Sequence, residues 1–260
     1  MSYVQAGDGC RIFYQVEGPA TAPTVLLSNS LGTTLEMWQP QMAALTRHYR
    51  VLRYDSRGHG RSDAPPGPYT IARLGRDALE LLDALGLERV AFCGLSMGGM
   101  VGQWLGIRAG GRLTRLVLAN TSAQIGAPEI WNQRIATVEA QGMAAIVPGV
   151  IDRWFTKGFQ EQAPEAVARI AAMLRAARPE GYTACCAAVR DMDQRDELQA
   201  IRMPTLVVAG RYDEATPPEH ARLIAERIPG ARLVELEAAH LANVEAAEAF
   251  TTALLDFLGR

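Results

Sequence analysis

The chain has 260 residues, 48% of them hydrophobic, and its 26 basic and 28 acidic residues give a net charge of −2. This is enough for one large hydrophobic core, or for a core domain with a smaller insertion. Like charges form no block, so the sequence indicates neither a nucleic-acid nor a membrane-surface partner. No apolar run reaches membrane-spanning length, and we expect no membrane-spanning segment.

The cysteines and the N-terminal residues both indicate the cellular compartment of the protein. The four cysteines are Cys10, Cys93, Cys185 and Cys186. None forms a CxxC pair and the last two are adjacent, which suits neither a zinc site nor an ordinary disulfide. The opening MSYVQAGDGCR lacks the basic region and apolar run of a secretory signal peptide. We therefore expect a protein of the reducing cytoplasm.

The predicted elements begin with a hairpin and continue as strands that alternate with helices. YVQAGDGCRIFYQVEG predicts two short strands joined at residues 7–9. Apolar runs then predict buried strands at 24–28, 51–54, 90–94, 115–120, 205–210 and 232–237. Between the second and third runs, apolar residues recur at helical spacing from Ile71 to Leu85, and Gly86 follows as a stop. The alternation predicts an α/β fold with a mostly parallel central sheet and helices on both faces.

The alternation is interrupted once, between the fourth and fifth apolar runs. Residues from about 124 to 199 are rich in Ala, Met and Arg, show helical spacing and contain no clear strand. We predict that residues 124–199 form a helical insertion. Residues 1–123 and 200–260 would then form the core domain.

The stretch CGLSMGGM at residues 93–100 places Ser96 between Gly94 and Gly98. A Gly-x-Ser-x-Gly pattern between a buried strand and a helix is typical of a nucleophile elbow, a tight turn that exposes the serine hydroxyl. Side chains at the two glycine positions would collide with the neighbouring strand and helix. The pattern alone is weak in a chain with 24 glycines, but its place between a predicted strand and helix is specific. We predict that Ser96 is a nucleophile.

A serine hydroxyl needs a base, and four histidines are available. In folds with this elbow the acid and the base follow the serine in the chain, which favours His220 and His240 over the earlier two. His48 lies beside arginines at a helix end, and His59 is interpreted as packing in a glycine-rich loop. His220 lies within a predicted helix, whereas His240 follows the last strand, at the sheet edge where such folds carry their sites. His240 is the predicted base.

The acid that orients His240 should lie in a loop after another strand. Asp213 meets this requirement in TLVVAGRYDEATPP, three residues after Gly210. Glu214 is adjacent but should point in a different direction, so we rank it lower. The end of the preceding strand is an alternative place for the acid, but the residue there is Asn120, which is not a carboxylate.

An oxyanion hole requires two N–H donors near the carbonyl oxygen under attack. One donor should be the backbone N–H of Met97, the residue after the nucleophile. The second should come from NSLGTT, the loop after the first buried run, where Leu31 is the best candidate. Each donor is expected to stabilise the transition state by about 3 kcal/mol.

Five stretches of the chain resemble the α/β-hydrolase superfamily: LSNSLGTTLEMW, LRYDSRGHGRSDAPPGPY, FCGLSMGGMVGQWLG, AGRYDEATPP and AAHLANVE. More narrowly, they resemble the 3-oxoadipate enol-lactonases of the β-ketoadipate pathway of aromatic catabolism. The likeness covers nearly the whole chain, including GYTACCAAVRDMD in the insertion. The superfamily's usual HG before the oxyanion donor is here Asn29-Ser30, a departure that is also found among these lactonases.

The resemblance implies an α/β-hydrolase fold with a helical cap, and it names Ser96, Asp213 and His240 as a catalytic triad. It implies hydrolysis of 3-oxoadipate enol-lactone to 3-oxoadipate through an acyl-enzyme on Ser96. This chemistry requires no metal and no organic cofactor. The bacterial pathway further implies a cytoplasmic enzyme whose partner is a small lactone that carries a carboxylate.

The carboxylate of the implied lactone must be met by a cation where water is excluded. The candidate cations in the insertion are Arg134, Arg153, Lys157 and Arg190. Trp131 and Arg134 are three residues apart and would share one helix face, as an apolar plate beside a charged group. We expect Trp131 and Arg134 to bind substrate, against the alternative that Trp131 packs in the core and Arg134 is solvated.

Other functions remain open for the same triad and cap. Within the enzyme class they are carboxylesterase, C–C bond hydrolase and perhydrolase. The serine at position 96 counts against haloalkane dehalogenases and epoxide hydrolases, which use an aspartate nucleophile. Outside the enzyme class, some proteins of this fold are ligand receptors or signalling proteins with little turnover.

Overall fold

A computed structural model of the protein describes residues 2–259. In this range the chain forms eight strands: β1 Ser2–Gln5, β2 Arg11–Glu17, β3 Thr24–Ser28, β4 Arg50–Tyr54, β5 Val90–Leu95, β6 Leu113–Ala119, β7 Thr205–Gly210 and β8 Arg232–Leu236. They form one sheet in the order β1-β2-β4-β3-β5-β6-β7-β8. The β1–β2 and β2–β4 pairs are antiparallel and every other pair is parallel. The predicted hairpin and the predicted mostly parallel sheet are both confirmed.

Eleven α-helices are found in the same described range. They are α1 Gln39–Leu45, α2 Ile71–Ala84, α3 Met97–Arg108, α4 Pro128–Gln141, α5 Val147–Trp154, α6 Lys157–Gln162, α7 Pro164–Ala176, α8 Pro179–Arg190, α9 Pro218–Arg227, α10 Ala242–Glu245 and α11 Ala247–Leu258. None of these helices combines the length and the apolar character that crossing a membrane requires.

The central strands are buried on both faces, and their sequences show why. All six residues of β5 and all six of β7 are buried. Continuous apolar runs of this kind are typical of strands that are covered by helices on both sides. Helix α3 supplies one such cover on β5 and β6, and α2 packs against α3 with apolar residues that recur on one face and include the buried Leu74, Leu81 and Leu82. The Thr70 side chain caps this helix by accepting a hydrogen bond from the Arg73 N–H.

Helices α4 to α8 are inserted between β6 and β7. An isolated antiparallel bridge between Gln124 and Asp193 joins the two ends of this helical insertion. Helix α8 rests directly on the loop that follows β4: a Cβ on Gly58 would overlap the Gly181 backbone, and a Cβ on Gly181 would overlap Gly58. Nearby, the Tyr69 N–H donates to the Ala184 carbonyl at 3.1 Å. The insertion is therefore held against the core by backbone contacts. The boundaries at 124 and 199 remain predictions.

Candidate active site

A cavity of about 170 Å³ lies where the carboxyl ends of the strands meet the helical insertion. Several residues on its core side follow strands: Leu31 follows β3, Ser96 and Met97 follow β5, Glu214 follows β7, and His240 follows β8. This is the edge at which open α/β sheets carry their sites, because the loops after parallel strands converge there. The structure thus brings the predicted nucleophile, base and oxyanion donors to one cavity.

Ser96 occupies a strained turn between β5 and α3. Its backbone has φ 58° and ψ −117°, a combination that costs free energy for a residue other than glycine. The turn is held in place because the Ser96 N–H donates to the Ala119 carbonyl at 2.9 Å. A Cβ on Gly94 would collide with the Gly98 carbonyl, and a Cβ on Gly98 would collide with the Ser28 carbonyl. Both glycines are therefore needed to bring strand and helix close enough to project the hydroxyl into the cavity.

Asp213 and His240 form a buried, hydrogen-bonded pair. The His240 Nδ1 lies 2.8 Å from Asp213 Oδ2 and 3.0 Å from Oδ1. An ionised carboxylate only accepts hydrogen bonds, so the His240 Nδ1 carries the donated proton. The other ring nitrogen, Nε2, is then the one that can accept a proton at the cavity. Glu214, the lower-ranked acid, lines the cavity instead of bonding to His240.

The surroundings of Asp213 keep its carboxyl ionised. Burial by itself would raise the pKa of Asp213, but His240 and the hydrogen bonds of the site outweigh burial and lower it below 3.8. Four donors besides His240 reach the carboxylate: the N–H groups of Ala215 and Thr216 at 2.8 Å, the Thr216 hydroxyl at 2.7 Å and the Asn120 amide at 3.0 Å. Asn120 is not a carboxylate and cannot itself be the acid. In the structure it supports the acid as a donor.

The two predicted oxyanion donors are free to bind a substrate oxygen. Met97 is the first residue of α3, so its N–H has no partner within the helix. Leu31 and Met97 both line the cavity. Within residues 2–259, neither backbone N–H is used in a hydrogen bond. The positive end of the α3 dipole at Met97 adds to the stabilisation of a developing negative charge.

His59, interpreted from sequence as loop packing, holds the loop that presents Leu31. Its Nε2 accepts a hydrogen bond from the Gly32 N–H at 2.8 Å. Its Nδ1 lies 3.2 Å from the Arg57 carbonyl, which fixes the proton on Nδ1. Arg57 is itself anchored, because its guanidinium makes two 2.6 Å bonds to the buried Asp77 carboxylate. A neutral His59 is therefore part of the support of the predicted oxyanion hole.

His59 should also make the stability of the protein depend on pH. Burial lowers the pKa of His59 from 6.5 to about 4, so only the unfolded chain takes up this proton between those values. The free energy of unfolding must then decrease as the pH falls through this window, by about 3 kcal/mol in total. Urea unfolding at about pH 7 and about pH 5 should show the wild type losing about 2 kcal/mol more than His59→Gln. Equal losses in the two proteins would contradict this account.

The outer wall of the cavity comes from the helical insertion. The Arg134 guanidinium lies over the Trp131 ring, 4.7 Å from the ring centroid, and both side chains line the cavity. The two side chains share one helix face, as the spacing predicts, and the guanidinium stacks over the indole ring. Arg153 lines the cavity too, and its burial, together with the charge of Arg134, lowers its pKa. Neither arginine forms an ion pair with a carboxylate of the described chain.

The other two predicted cations lie away from the cavity. Lys157 is exposed and pairs with Asp152 at 2.9 Å. Arg190 pairs with Asp191 at 2.7 Å and also donates to the Asn132 side chain. Of the four cations named from sequence, Arg134 and Arg153 thus face the site. Among residues 2–259, His, Cys, Asp and Glu side chains form no group that could hold a metal ion.

Comparisons with known proteins agree with this geometry. Residues 23–247 match the α/β hydrolase fold family model. The 3-oxoadipate enol-lactonase 2 of Acinetobacter baylyi is 43% identical over 241 residues, which are 93% of this chain and 90% of that protein. The crystal structure of the enol-lactonase from Burkholderia xenovorans LB400 is 46% identical, covers 99% of each chain and superimposes with a TM-score of 0.97.

A third comparison is with the crystal structure of a hydrolase from Pseudomonas aeruginosa PA01. It is 53% identical, covers 100% of this chain and 98% of its own, and has a TM-score of 0.97. The resemblance to the 3-oxoadipate enol-lactonases that the sequence motifs carry is thereby confirmed over nearly the whole length. On its sheet, its serine elbow and these relatives, the chain belongs to the α/β-hydrolase family.

Proposed function

We propose that the protein is a serine hydrolase that opens 3-oxoadipate enol-lactone to 3-oxoadipate, a step of aromatic catabolism. One observation carries the proposal: a small cavity holds Ser96 and His240 on its core side and, on its outer side, two arginines that pair with no carboxylate among residues 2–259. This pairing of an acyl-transfer site with cations fits an ester that carries a carboxylate. The enol-lactonase relatives support the same substrate.

The first half of the reaction acylates the serine. The His240 Nε2 takes the proton of Ser96 as its Oγ attacks the lactone carbonyl carbon. The carbonyl oxygen becomes an oxyanion that accepts hydrogen bonds from the Leu31 and Met97 N–H groups. When the oxyanion collapses, the ring C–O bond breaks and the ring oxygen leaves as an enolate. The enolate takes the proton from His240 and tautomerises to the ketone, which disfavours reclosure of the ring.

The second half releases the acid. A water molecule gives a proton to His240 and attacks the acyl carbon, which again forms an oxyanion at Leu31 and Met97. Collapse breaks the bond to Ser96 Oγ, and the serine recovers its proton from His240. Through both halves Asp213 remains ionised and holds the imidazole with Nε2 towards the serine.

We further propose that the helical insertion, residues 124–199, is the cap that recognises the carboxylate arm. Arg134 is fixed over the Trp131 ring, so its guanidinium is held in place before substrate arrives. A pre-positioned guanidinium can bind a carboxylate with two parallel hydrogen bonds. Arg153 adds a second positive charge to the cavity wall, and Glu214 carries the acidic charge on the core side.

The assay that tests the substrate follows loss of enol-lactone absorbance beside a panel of p-nitrophenyl esters. The proposal expects the highest kcat/KM with the enol-lactone. Faster turnover of the simple esters, with little of the lactone, would make the protein a carboxylesterase. Absence of turnover with every ester would favour a ligand receptor of the same fold.

The role of Arg134 is tested by Arg134→Met on two substrates. We expect kcat/KM to fall 10-fold or more for the enol-lactone, because a charged hydrogen bond of about 1.5–3 kcal/mol is lost. For a neutral p-nitrophenyl ester kcat/KM should hardly change. Lys157→Met is the matched control, since Lys157 is an exposed cation of the same insertion. An equal fall for both substrates would instead assign Arg134 to the folding of the insertion.

A further inference from the structure

The Ser30 hydroxyl is a buried polar group that the mechanism above does not use. Ser30 is 1% exposed, and its Oγ has no hydrogen-bond partner among the described residues. The residue lines the same cavity as Ser96 and His240. A buried hydroxyl without a partner is destabilising, because it has lost its hydrogen bonds to water and gained none in return. Because Ser30 lines the cavity, a bound substrate is the nearest source of the missing partner.

The rest of Ser30 and the residue before it are fully engaged. The Ser30 N–H contacts the Met37 sulfur at 3.3 Å, and the Ser30 carbonyl accepts the Thr33 hydroxyl at 2.8 Å. The Asn29 side chain donates to the Tyr54 carbonyl at 2.7 Å and accepts from the indole of Trp38 at 2.9 Å. The loop is therefore pinned from several directions. Among residues 2–259, the hydroxyl is the one polar group of Ser30 that has no partner.

The position of the hydroxyl is set by its covalent neighbour. Ser30 Oγ and the Leu31 nitrogen are both attached, each through one intervening carbon, to the Ser30 Cα. The hydroxyl therefore lies near the Leu31 nitrogen, and both residues line the cavity that holds Ser96. The leaving oxygen, by contrast, must face His240, from which it takes its proton.

We propose that the Ser30 hydroxyl donates a third hydrogen bond to the substrate carbonyl oxygen as that oxygen becomes the oxyanion. The inference rests on the serine hydrolase mechanism proposed above, though not on the identity of the ester. Hydrogen bonds to a charged acceptor are stronger than those to a neutral one, so this donor acts mainly in the transition state. Asn29-Ser30 replaces the superfamily's usual HG, so Ser30 adds a side-chain donor where the usual residue has no side chain.

The experiment compares Ser30→Ala with wild type on an oxygen ester and on the matching thionoester, in which sulfur replaces the carbonyl oxygen. Sulfur is a weak acceptor, so it gains little from any oxyanion donor. We expect kcat for p-nitrophenyl acetate to fall about 10- to 100-fold with KM nearly unchanged, the pattern of an interaction made in the transition state. For the thionoester, kcat should fall less than about 3-fold, because the Ser30 hydroxyl forms only a weak hydrogen bond to the sulfur.

Two further variants separate this role from a structural one. Ser122→Ala is the matched control, because Ser122 is a buried serine outside the cavity whose hydroxyl donates to the Gln124 carbonyl. It should leave the ratio of ester to thionoester rates at the wild-type value. Ser30→Cys keeps a side chain of similar size but a poorer donor, and it gives the same comparison if the alanine variant does not fold.

Three results would overturn the proposal. The first is an equal fall in kcat for the ester and the thionoester, and the second is a wild-type kcat in Ser30→Ala. The third is a rise of KM confined to the enol-lactone, which would show that the hydroxyl binds the carboxylate arm. Because the ester pair contains no lactone, failure of the enol-lactone assay leaves this test intact. A Ser30 effect on p-nitrophenyl acetate without lactone turnover would refute only the proposed substrate.

Discussion

Replacement of Ser96 by alanine is expected to lower kcat about 10⁶-fold, the loss that follows removal of a triad nucleophile. The variant keeps the Leu31 and Met97 donors and the cavity, so substrate should still bind. Alanine also retains a Cβ in the same backbone conformation at φ 58°, and the strain of the turn should therefore change little. We expect a folded protein that binds substrate but cannot form an acyl-enzyme.

The measurement is single-turnover and steady-state hydrolysis of the enol-lactone and of p-nitrophenyl acetate by the purified variant. A thermal melt and a circular dichroism spectrum that match the wild type are the controls for folding. More than a few per cent of wild-type activity, in a preparation free of other esterases, would show that another group attacks the ester.

Replacement of Asp213 by asparagine is expected to lower kcat about 10⁴-fold, through His240. Asp213 Oδ1 accepts the backbone N–H groups of Ala215 and Thr216, so the amide oxygen of the new side chain should take this place. The amide NH₂ then replaces Oδ2 and points at His240 Nδ1. A donor facing Nδ1 forces the ring proton onto Nε2, and the imidazole can no longer accept the Ser96 proton.

The same substitution should weaken the fold as well. The NH₂ group would face two other donors that now bond Oδ2, the Thr216 hydroxyl and the Asn120 amide. The melting temperature is therefore expected to fall, which a thermal melt measures beside the kinetics. Glu214→Gln is the neighbouring control and should change kcat far less. A larger loss in that variant would identify Glu214 as the acid.

The parts of the site that sequence can predict are those determined by neighbours in the chain. The elbow at Ser96 is one, because glycines at fixed spacing between a strand and a helix describe one local geometry. His240 and Asp213 could be chosen because the loops after parallel strands must meet at one sheet edge. The alternation of apolar runs and helical spacing likewise predicts the sheet, because a short continuous apolar run by itself indicates a buried strand.

The parts that sequence could not predict depend on side chains that meet across the fold. His59 bonds to the Gly32 N–H, 27 residues earlier in the chain, and no local pattern marks that pair. Asn120 reaches Asp213 from a separate strand, 93 residues away. The spacing to Trp131 singles out Arg134 but not Arg153, whose place in the cavity wall depends on how α5 packs against the core.

The contact between Gly58 and Gly181 limits how this enzyme could be re-engineered. Cap exchange between related hydrolases is an attractive route to new specificity, because the cap carries the residues proposed to bind the carboxylate arm. Here, however, the two backbones touch, so a donor cap with any larger residue at the position of Gly181 would be lifted off the recipient's loop. That loop also carries His59, which braces the Gly32 N–H. A mismatched chimera would therefore lose rate as well as selectivity, and successful grafts will have to transplant the glycine pair together.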